Sequence, residues 1–349
     1  MLPRCDLSIF RFDDPLPFAV NMNLRGTTRV VELVKEMRHL SAMVHVSTSY
    51  SNTNRELVEE VMYPPHADWR DTLASNAVLN SRYLGELPNT YTFTKQLAEH
   101  VVYEHRGQLP IVIIRPSIVI SSVSEPFPGW IENFNGPVGI MVAAGKGIMR
   151  SLYTDPDLIA DYMPVDISIK SMVAAAWLEN SDDIPIYNNC AGNLNKISMG
   201  EVIELGRSIY PSLPFKGMLW HFGGNQTTSK TIHYIKVGTF FLGLLMLVML
   251  STRLTSKKLF FYSLLKVQRR IYIANLALTY YVTKQWTFDN KNFVQLRSCI
   301  KNEDVNHFYY DIENIDQYQY FYEASHGARK YLLKEKDEDI PAAKVHYRR

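Results

Sequence analysis

Tyr91 and Lys95 stand four residues apart in Tyr91-Thr-Phe-Thr-Lys95. On a helix, positions i and i+4 share one face, so the ammonium can lie beside the phenol. A cation there stabilises phenolate and would lower the tyrosine pKa from about 10 toward neutrality. A tyrosine tuned in this way can give a proton to a carbonyl oxygen as hydride reaches the carbonyl carbon. A nearby hydroxyl would polarise the same oxygen, and Thr48 or Ser47 could supply it. The spacing alone is common in a chain with 21 tyrosines, since Tyr262…Lys266 and Tyr280…Lys284 match it too. Those two fall in hydrophobic and C-terminal segments and read as helix-surface pairs.

The elements around Tyr91 set it apart. Thr27 to Leu40 reads as an amphipathic helix with a Val30, Val31, Leu33, Val34 stripe. Ala42 to Val46 reads as a short buried strand that ends in the hydroxyl-rich run Ser47-Thr-Ser-Tyr-Ser-Asn52. Glu56 to Tyr83 is a mixed insertion. Pro88-Asn89-Thr90 opens a helix through Tyr91 and Lys95 to about His105. Ile111-Val-Ile-Ile114 is a β-branched run of the kind found in parallel strands buried on both faces, and it leads into Arg115-Pro-Ser117. Ile118 to Lys146 reads as loop, Val165 to Ala176 as helix and Ile186-Tyr-Asn188 as strand. Helices and strands alternating over short links predict an α/β doubly wound sheet. Ligands of such sheets sit at the carboxyl ends of the strands, where Thr48 and Ser117 fall.

Composition narrows the class. The 349 residues carry 37 basic and 35 acidic side chains, a balance that disfavours a nucleic-acid binder. Cys5, Cys190 and Cys299 are far apart, which excludes a disulfide framework and a structural zinc site. A mean hydropathy of −0.14 conceals one apolar segment, Val237 to Leu250, flanked by Lys236, Arg253, Lys257 and Lys258. A bilayer span takes about 20 apolar residues, and this stretch is shorter. A helix in the interface, or a re-entrant pair with Leu259 to Leu265, keeps both flanks on one side of a membrane. The segment predicts membrane association, with membrane lipid as a partner and a transmembrane helix as the alternative geometry.

Several segments together resemble the extended short-chain dehydrogenase/reductase fold, and more closely the alcohol-forming fatty acyl-CoA reductases. They are Arg11-Phe-Asp-Asp-Pro15 with Asn21-Met-Asn-Leu-Arg-Gly-Thr27, then His45-Val-Ser-Thr-Ser-Tyr-Ser-Asn52, Tyr91-Thr-Phe-Thr-Lys95 and Ile114-Arg-Pro-Ser117. Trp286-Thr-Phe-Asp-Asn290 and Gly327-Ala-Arg-Lys-Tyr-Leu-Leu-Lys334 resemble that family's C-terminal helical domain. The resemblance implies reduction of a long-chain fatty acyl-CoA to the alcohol with two NADPH, through an aldehyde. It implies Tyr91 as general acid and Lys95 as the residue that lowers its pKa and bonds the nicotinamide ribose. Thr48 aligns best as the carbonyl-orienting hydroxyl, with Ser47 and Ser49 close behind. Pro116 and Ser117 would line the nicotinamide pocket. Asn23 and Gly26 belong to an NxxGT pattern and read as structural. A membrane-associated enzyme with its catalytic domain facing the cytosol, at the endoplasmic reticulum or peroxisome, is implied, and a homo-oligomer is compatible with it.

The family's glycine-rich GxxGxxG turn, which brings a helix N-terminus to a pyrophosphate, has no counterpart here, because the first glycine is Gly26. The sequence therefore reads as an incomplete NAD(P)-binding Rossmann-like sheet, a member lacking its N-terminal strands, with weak NADPH binding expected. The division expected is a reductase domain over 1–222, a hydrophobic segment over 232–266, a helical domain over 267–336 and a tail over 337–349. The competing expectation is a non-catalytic member that binds acyl chains or a partner. A sugar-nucleotide epimerase or hydroxysteroid dehydrogenase fits the C-terminal segments less well.

Overall fold

The computed structural model describes residues 14–134, 136–178, 183–222, 224–251 and 258–348. Cys5 and residues 11–13 of the Arg11–Pro15 stretch named above lie outside the described residues. The chain divides into two compact units, each built from three stretches. The first takes the chain up to Val119, then Asp161–Asn195 and Trp286–Asn314. The second takes Ile120–Ala160, Lys196–Gln285 and Ile315–Arg349.

The first unit holds an all-parallel sheet of β1 (Met43–Val46), β2 (Ile111–Pro116) and β3 (Ile186–Asn189), in that spatial order. Met43 pairs with Ile111 and Val46 with Ile114, while Ile113 pairs with Ile186. Every position of β2 is buried, as its central place and unbroken β-branched run require. Ile111, Ile113 and Ile186 share one core with Leu24 and Val31, and with Phe93, Leu97 and Val101 of the Thr90–Tyr103 helix. The Val165–Leu178 helix packs on β1 and β2 outside that core, which makes the sheet doubly wound. The helix expected from Thr27 stops at Lys35 rather than Leu40. There the amides of Glu36 and Met37 turn to the carbonyls of Leu33 and Val34, three residues back, which tightens and closes the last turn.

The Trp286–Asn314 stretch joins this unit, although the sequence assigns it to a separate helical domain. Thr287–Phe288 forms a parallel pair with Leu57–Val58. The Trp286 indole N–H donates to the Thr53 carbonyl at 3.1 Å. Asn188 Nδ2 donates to the carbonyls of Val58 and Asp289. Glu60 completes the junction: its carboxylate accepts from the amides of Asn188, Asn292 and Phe293 and so caps the Lys291–Ser298 helix from another element. Burial pushes the Glu60 carboxyl up to about 7, against the pull of those amides. Unfolded, the group ionises near 4.5, so between about pH 4.5 and about 7 the native state holds a proton that the unfolded chain has lost. Stability should fall as pH rises through that window, by up to about 3 kcal/mol in total. Urea midpoints measured across the window should show this slope in the wild type and lose it in Glu60→Gln; equal slopes would refute the assignment.

The second unit contains the helices Pro137–Gly145, Met199–Ile209, Lys230–Ser251, Lys258–Val282 and Gln317–Gly327. The first of these lies inside the stretch that the sequence reads as loop. Ser151–Tyr153 and Asn225–Thr227 form a small parallel pair. In the Gly327-Ala-Arg-Lys segment, a Cβ on Gly327 would overlap the Gly129 carbonyl oxygen, so the helix approaches that loop only as glycine. Arg329 is buried and its Nε donates to Glu335 at 3.2 Å, while Glu335 also pairs with Lys146 at 2.7 Å. That segment is thus a packing feature of this unit.

The transmembrane helix expected as the alternative geometry finds no support. Among the described residues no helix is long and apolar enough to cross a membrane. The 22-residue Lys230–Ser251 helix carries Lys230, His233 and Lys236 in its first two turns.

Candidate active site

The sequence makes the Thr90–Tyr103 helix start where it does. Asn89 is extended, and its side chain accepts from the Thr92 amide at 3.0 Å, an N-cap that fixes the first turn. From that start, Tyr91, Lys95 and Glu99 fall at i, i+4 and i+8 on one stripe. Asn23 Nδ2 donates to Thr94 Oγ1 at 2.9 Å, and Thr27 Oγ1 donates to the Asn23 carbonyl at 2.7 Å. Asn23 thus ties the preceding helical segment to the Tyr91 helix, a structural role.

The carboxyl ends of the strands meet this stripe. Lys95 Nζ donates to the carbonyl of Val46, the last residue of β1, at 2.9 Å. Thr48, two residues on, hydrogen-bonds the Tyr91 phenol and accepts from the Tyr50 amide at 3.3 Å. Its hydroxyl also reaches the Pro116 carbonyl, at a long 3.4 Å. Ser49 Oγ donates to the Arg115 carbonyl at 2.6 Å. The Ser117 amide donates to the Asn189 carbonyl at 2.9 Å, extending the β2–β3 ladder. Tyr91, Lys95, Thr48, Pro116 and Ser117 are thereby brought to the same end of the sheet, where open α/β sheets bind ligands. Ser47 and Ser49 are buried beside Thr48, and Ser49 is committed to the backbone of β2.

The electrostatics differ from the sequence expectation in one respect. Lys95 does not draw the Tyr91 phenol toward neutrality. Burial pushes it up to about 12, and the Thr48 hydrogen bond offsets only part of that. The ammonium is turned to the Val46 carbonyl, and its own pKa is lowered by burial to about 8, against the pull of Glu99. The phenol is therefore held in its protonated, proton-donating form.

Sequence reasoning gave no role to the charged pair behind the site. Arg115 Nε and Nη2 donate to the two oxygens of Glu99 at 2.9 and 2.7 Å, and both side chains are fully buried. Burial pushes the Glu99 carboxyl up, but the Arg115 charge and its hydrogen bonds together outweigh this and hold it below the usual carboxylate range. His45 of β1 lies near the same charges, and burial lowers it to about 4, so its ring stays neutral. The available signal was an arginine ending an otherwise apolar strand, and a glutamate four residues beyond Lys95.

Two family models, each described as male sterility protein, match the chain: an NAD-binding model over residues 8–172 and a Sterile model over residues 240–335. Fatty acyl-CoA reductase 1 of Xenopus laevis is 33% identical over 348 residues, covering 96% of this chain and 67% of that relative. The chain belongs to the fatty acyl-CoA reductase family. Fatty acyl-CoA reductase 1 of Rattus norvegicus is 34% identical over 349 residues, with the same coverage. The chain thus spans about two thirds of the length of these relatives. The terminal R domain from the myxalamid PKS-NRPS biosynthetic pathway superposes with a TM-score of 0.56 at 14% identity, covering 92% of this chain and 66% of that one. That likeness supports a Rossmann-like reductase fold, here in a fatty acyl-CoA reductase family member.

Within this family member, the competing tyrosine–lysine pair at 280 and 284 is a surface contact. Lys284 Nζ sits 4.3 Å from the centroid of the Tyr280 ring, a cation–π pair. The Trp286-Thr-Phe-Asp-Asn290 segment has a packing role: Phe288 is buried with Val58, Tyr63 and Cys190, and the Tyr50 ring meets those of Trp286 and Phe288 edge-on.

Proposed function

We propose that this chain reduces a long-chain fatty acyl-CoA to the fatty alcohol through the aldehyde, with NADPH as the electron donor. The observation that carries this reading is the meeting of Tyr91, Lys95 and Thr48 at the carboxyl ends of β1 and β2. The donor set fits the nicotinamide-riboside end of such a cofactor. Lys95 has three N–H donors, of which Val46 takes one. The Pro116 ring adds an apolar wall. A pyrophosphate cradle is not among the described residues.

When bound, the nicotinamide supplies hydride to the carbonyl carbon. Thr48 can turn its hydroxyl from the distant Pro116 carbonyl to the substrate oxygen and polarise it. Tyr91, protonated at any working pH, gives its proton to that oxygen as charge develops there. The Lys95 ammonium offsets the negative charge then left on the phenol. In the acyl-CoA step the hydroxyl of the tetrahedral adduct returns that proton to the Tyr91 phenolate as the adduct collapses, which expels the thiolate of coenzyme A, leaves the aldehyde and resets the phenol for the second reduction. The second reduction repeats the proton transfer and yields the alcohol.

Incubation with palmitoyl-CoA and NADPH tests this directly. Fatty alcohol and stoichiometric free thiol are expected. Absence of both, under conditions where fluorescence titration shows NADPH bound, would overturn the reading. The titration alone measures how much affinity the residues at the strand ends supply.

A further inference from the structure

The Tyr91, Lys95, Glu99 stripe is anchored at its far end by a charge that no substrate could reach. Glu99 and Arg115 are almost completely shielded from solvent, at 1% and 0% exposure. Their contact is bidentate, which fixes the orientation of both groups. Arg115 Nη1 also donates to the Glu59 carbonyl at 3.2 Å, and Ser51 Oγ donates to Glu99 at 3.2 Å. Ser51 follows Thr48 by three residues, and its hydroxyl also bonds the Thr48 carbonyl at 2.9 Å. Arg115 immediately precedes Pro116, whose carbonyl Thr48 touches. One ion pair therefore joins the catalytic helix to both strand ends that carry Thr48 and Pro116.

Lys95 needs this arrangement. Its side chain is buried, and it donates to the neutral Val46 carbonyl. The titratable and charged groups around it are Tyr91 and Glu99 from its own helix, His45 from β1 and Arg115 from β2. Only Glu99 is an anion among them; His45 stays neutral, the Tyr91 phenol stays protonated and Arg115 is a cation. His100, on the same helix, is also close to Glu99.

We propose that the buried Glu99–Arg115 ion pair is a positioning device that keeps Lys95 charged and seated at the end of β1. This rests on the reading of Tyr91 and Lys95 as the reductase pair. Glu99 supplies the negative charge that favours the ammonium. Arg115 keeps that carboxylate ionised and aimed, and ties it to the strand that carries Pro116.

Lysine labelled at the side chain with 13C and 15N gives a titration curve for Lys95 by NMR, assigned with Lys95→Arg and independent of turnover. In Glu99→Gln, Lys95 should titrate about one pH unit lower than in the wild type. The volume-matched Glu99→Leu/Arg115→Met chain removes both charges without leaving either buried alone, and should show a drop in the same direction. The alkaline limb of kcat for acyl-CoA reduction should move down with the NMR titration, while KM stays within about twofold. Lys95 titrating as in the wild type in both variants would overturn the proposal. Unchanged turnover in Tyr91→Phe would instead remove the reductase reading and leave the Lys95 titration to decide the electrostatic claim by itself.

Discussion

Tyr91→Phe is expected to lower the reduction of a long-chain acyl-CoA by about 10²–10⁴-fold, the range that a positioned proton donor contributes. The loss should appear mainly in kcat, because the phenolic proton is needed as charge builds on the substrate oxygen, not for binding. The substitution keeps the ring and removes one oxygen. The partner it deserts is the Thr48 hydroxyl, which retains the Tyr50 amide and the Pro116 carbonyl. The fold should therefore survive, with a circular-dichroism spectrum and unfolding midpoint close to those of the wild type. The pH dependence separates the roles further. The phenol loses its proton only near about 12, whereas Lys95 does so near about 8. The wild-type rate should thus fall on the alkaline side as Lys95 becomes neutral, well before Tyr91 could titrate. A Tyr91→Phe enzyme with wild-type kcat, or a wild-type limb that follows the phenol, would remove Tyr91 from the proton-donor role.

The site was legible where local rules govern. Asn89 is a strong cap, Tyr91 and Lys95 keep helix spacing, and the Ile111–Ile114 run requires burial on both faces. The positions of Thr48, Pro116 and Ser117 then follow from where strands end in an α/β sheet. What local rules misread is the Pro137–Gly145 helix. Its residues are buried nearly all round, so it has no polar face to show a helical period. A proline such as Pro137 reads as a loop signal, yet at the first helical position proline starts a helix, here after Gly136 at φ +69°. Neither the pairing of Leu57–Val58 with Thr287–Phe288 nor the capping of the Lys291 helix by Glu60 leaves a trace in either neighbourhood. Both are non-local, and only the assembled unit brings their partners together. The phenol's pKa failed for a related reason. Spacing places an ammonium near a tyrosine, but spacing carries no information about burial or about the Val46 carbonyl that claims the ammonium first.

Arg115→Met should be strongly destabilising. It leaves the Glu99 carboxylate fully buried with only the Ser51 and Ser47 hydroxyls beside it, and it strips the Glu59 carbonyl of a donor. Breaking a buried pair from one side typically costs about 3–5 kcal/mol. With a urea slope of about 2–3 kcal/mol per molar, the midpoint should drop by about 1–2.5 M. Glu99→Leu alone should cost a similar amount, because it strands the guanidinium instead. The combined Glu99→Leu/Arg115→Met chain should recover most of the loss, since neither charge is then buried unpaired. The sign of that non-additivity has a functional consequence. A pair retained for stability alone would be replaceable by hydrophobic side chains without further effect. A pair that positions Lys95 would not be, and the stable double variant should reduce acyl-CoA more slowly, with its alkaline limb displaced to lower pH. Additive losses in the double variant would mean that the two residues act through separate contacts. Full recovery of stability together with a wild-type rate profile would leave the ion pair a purely structural element of the sheet.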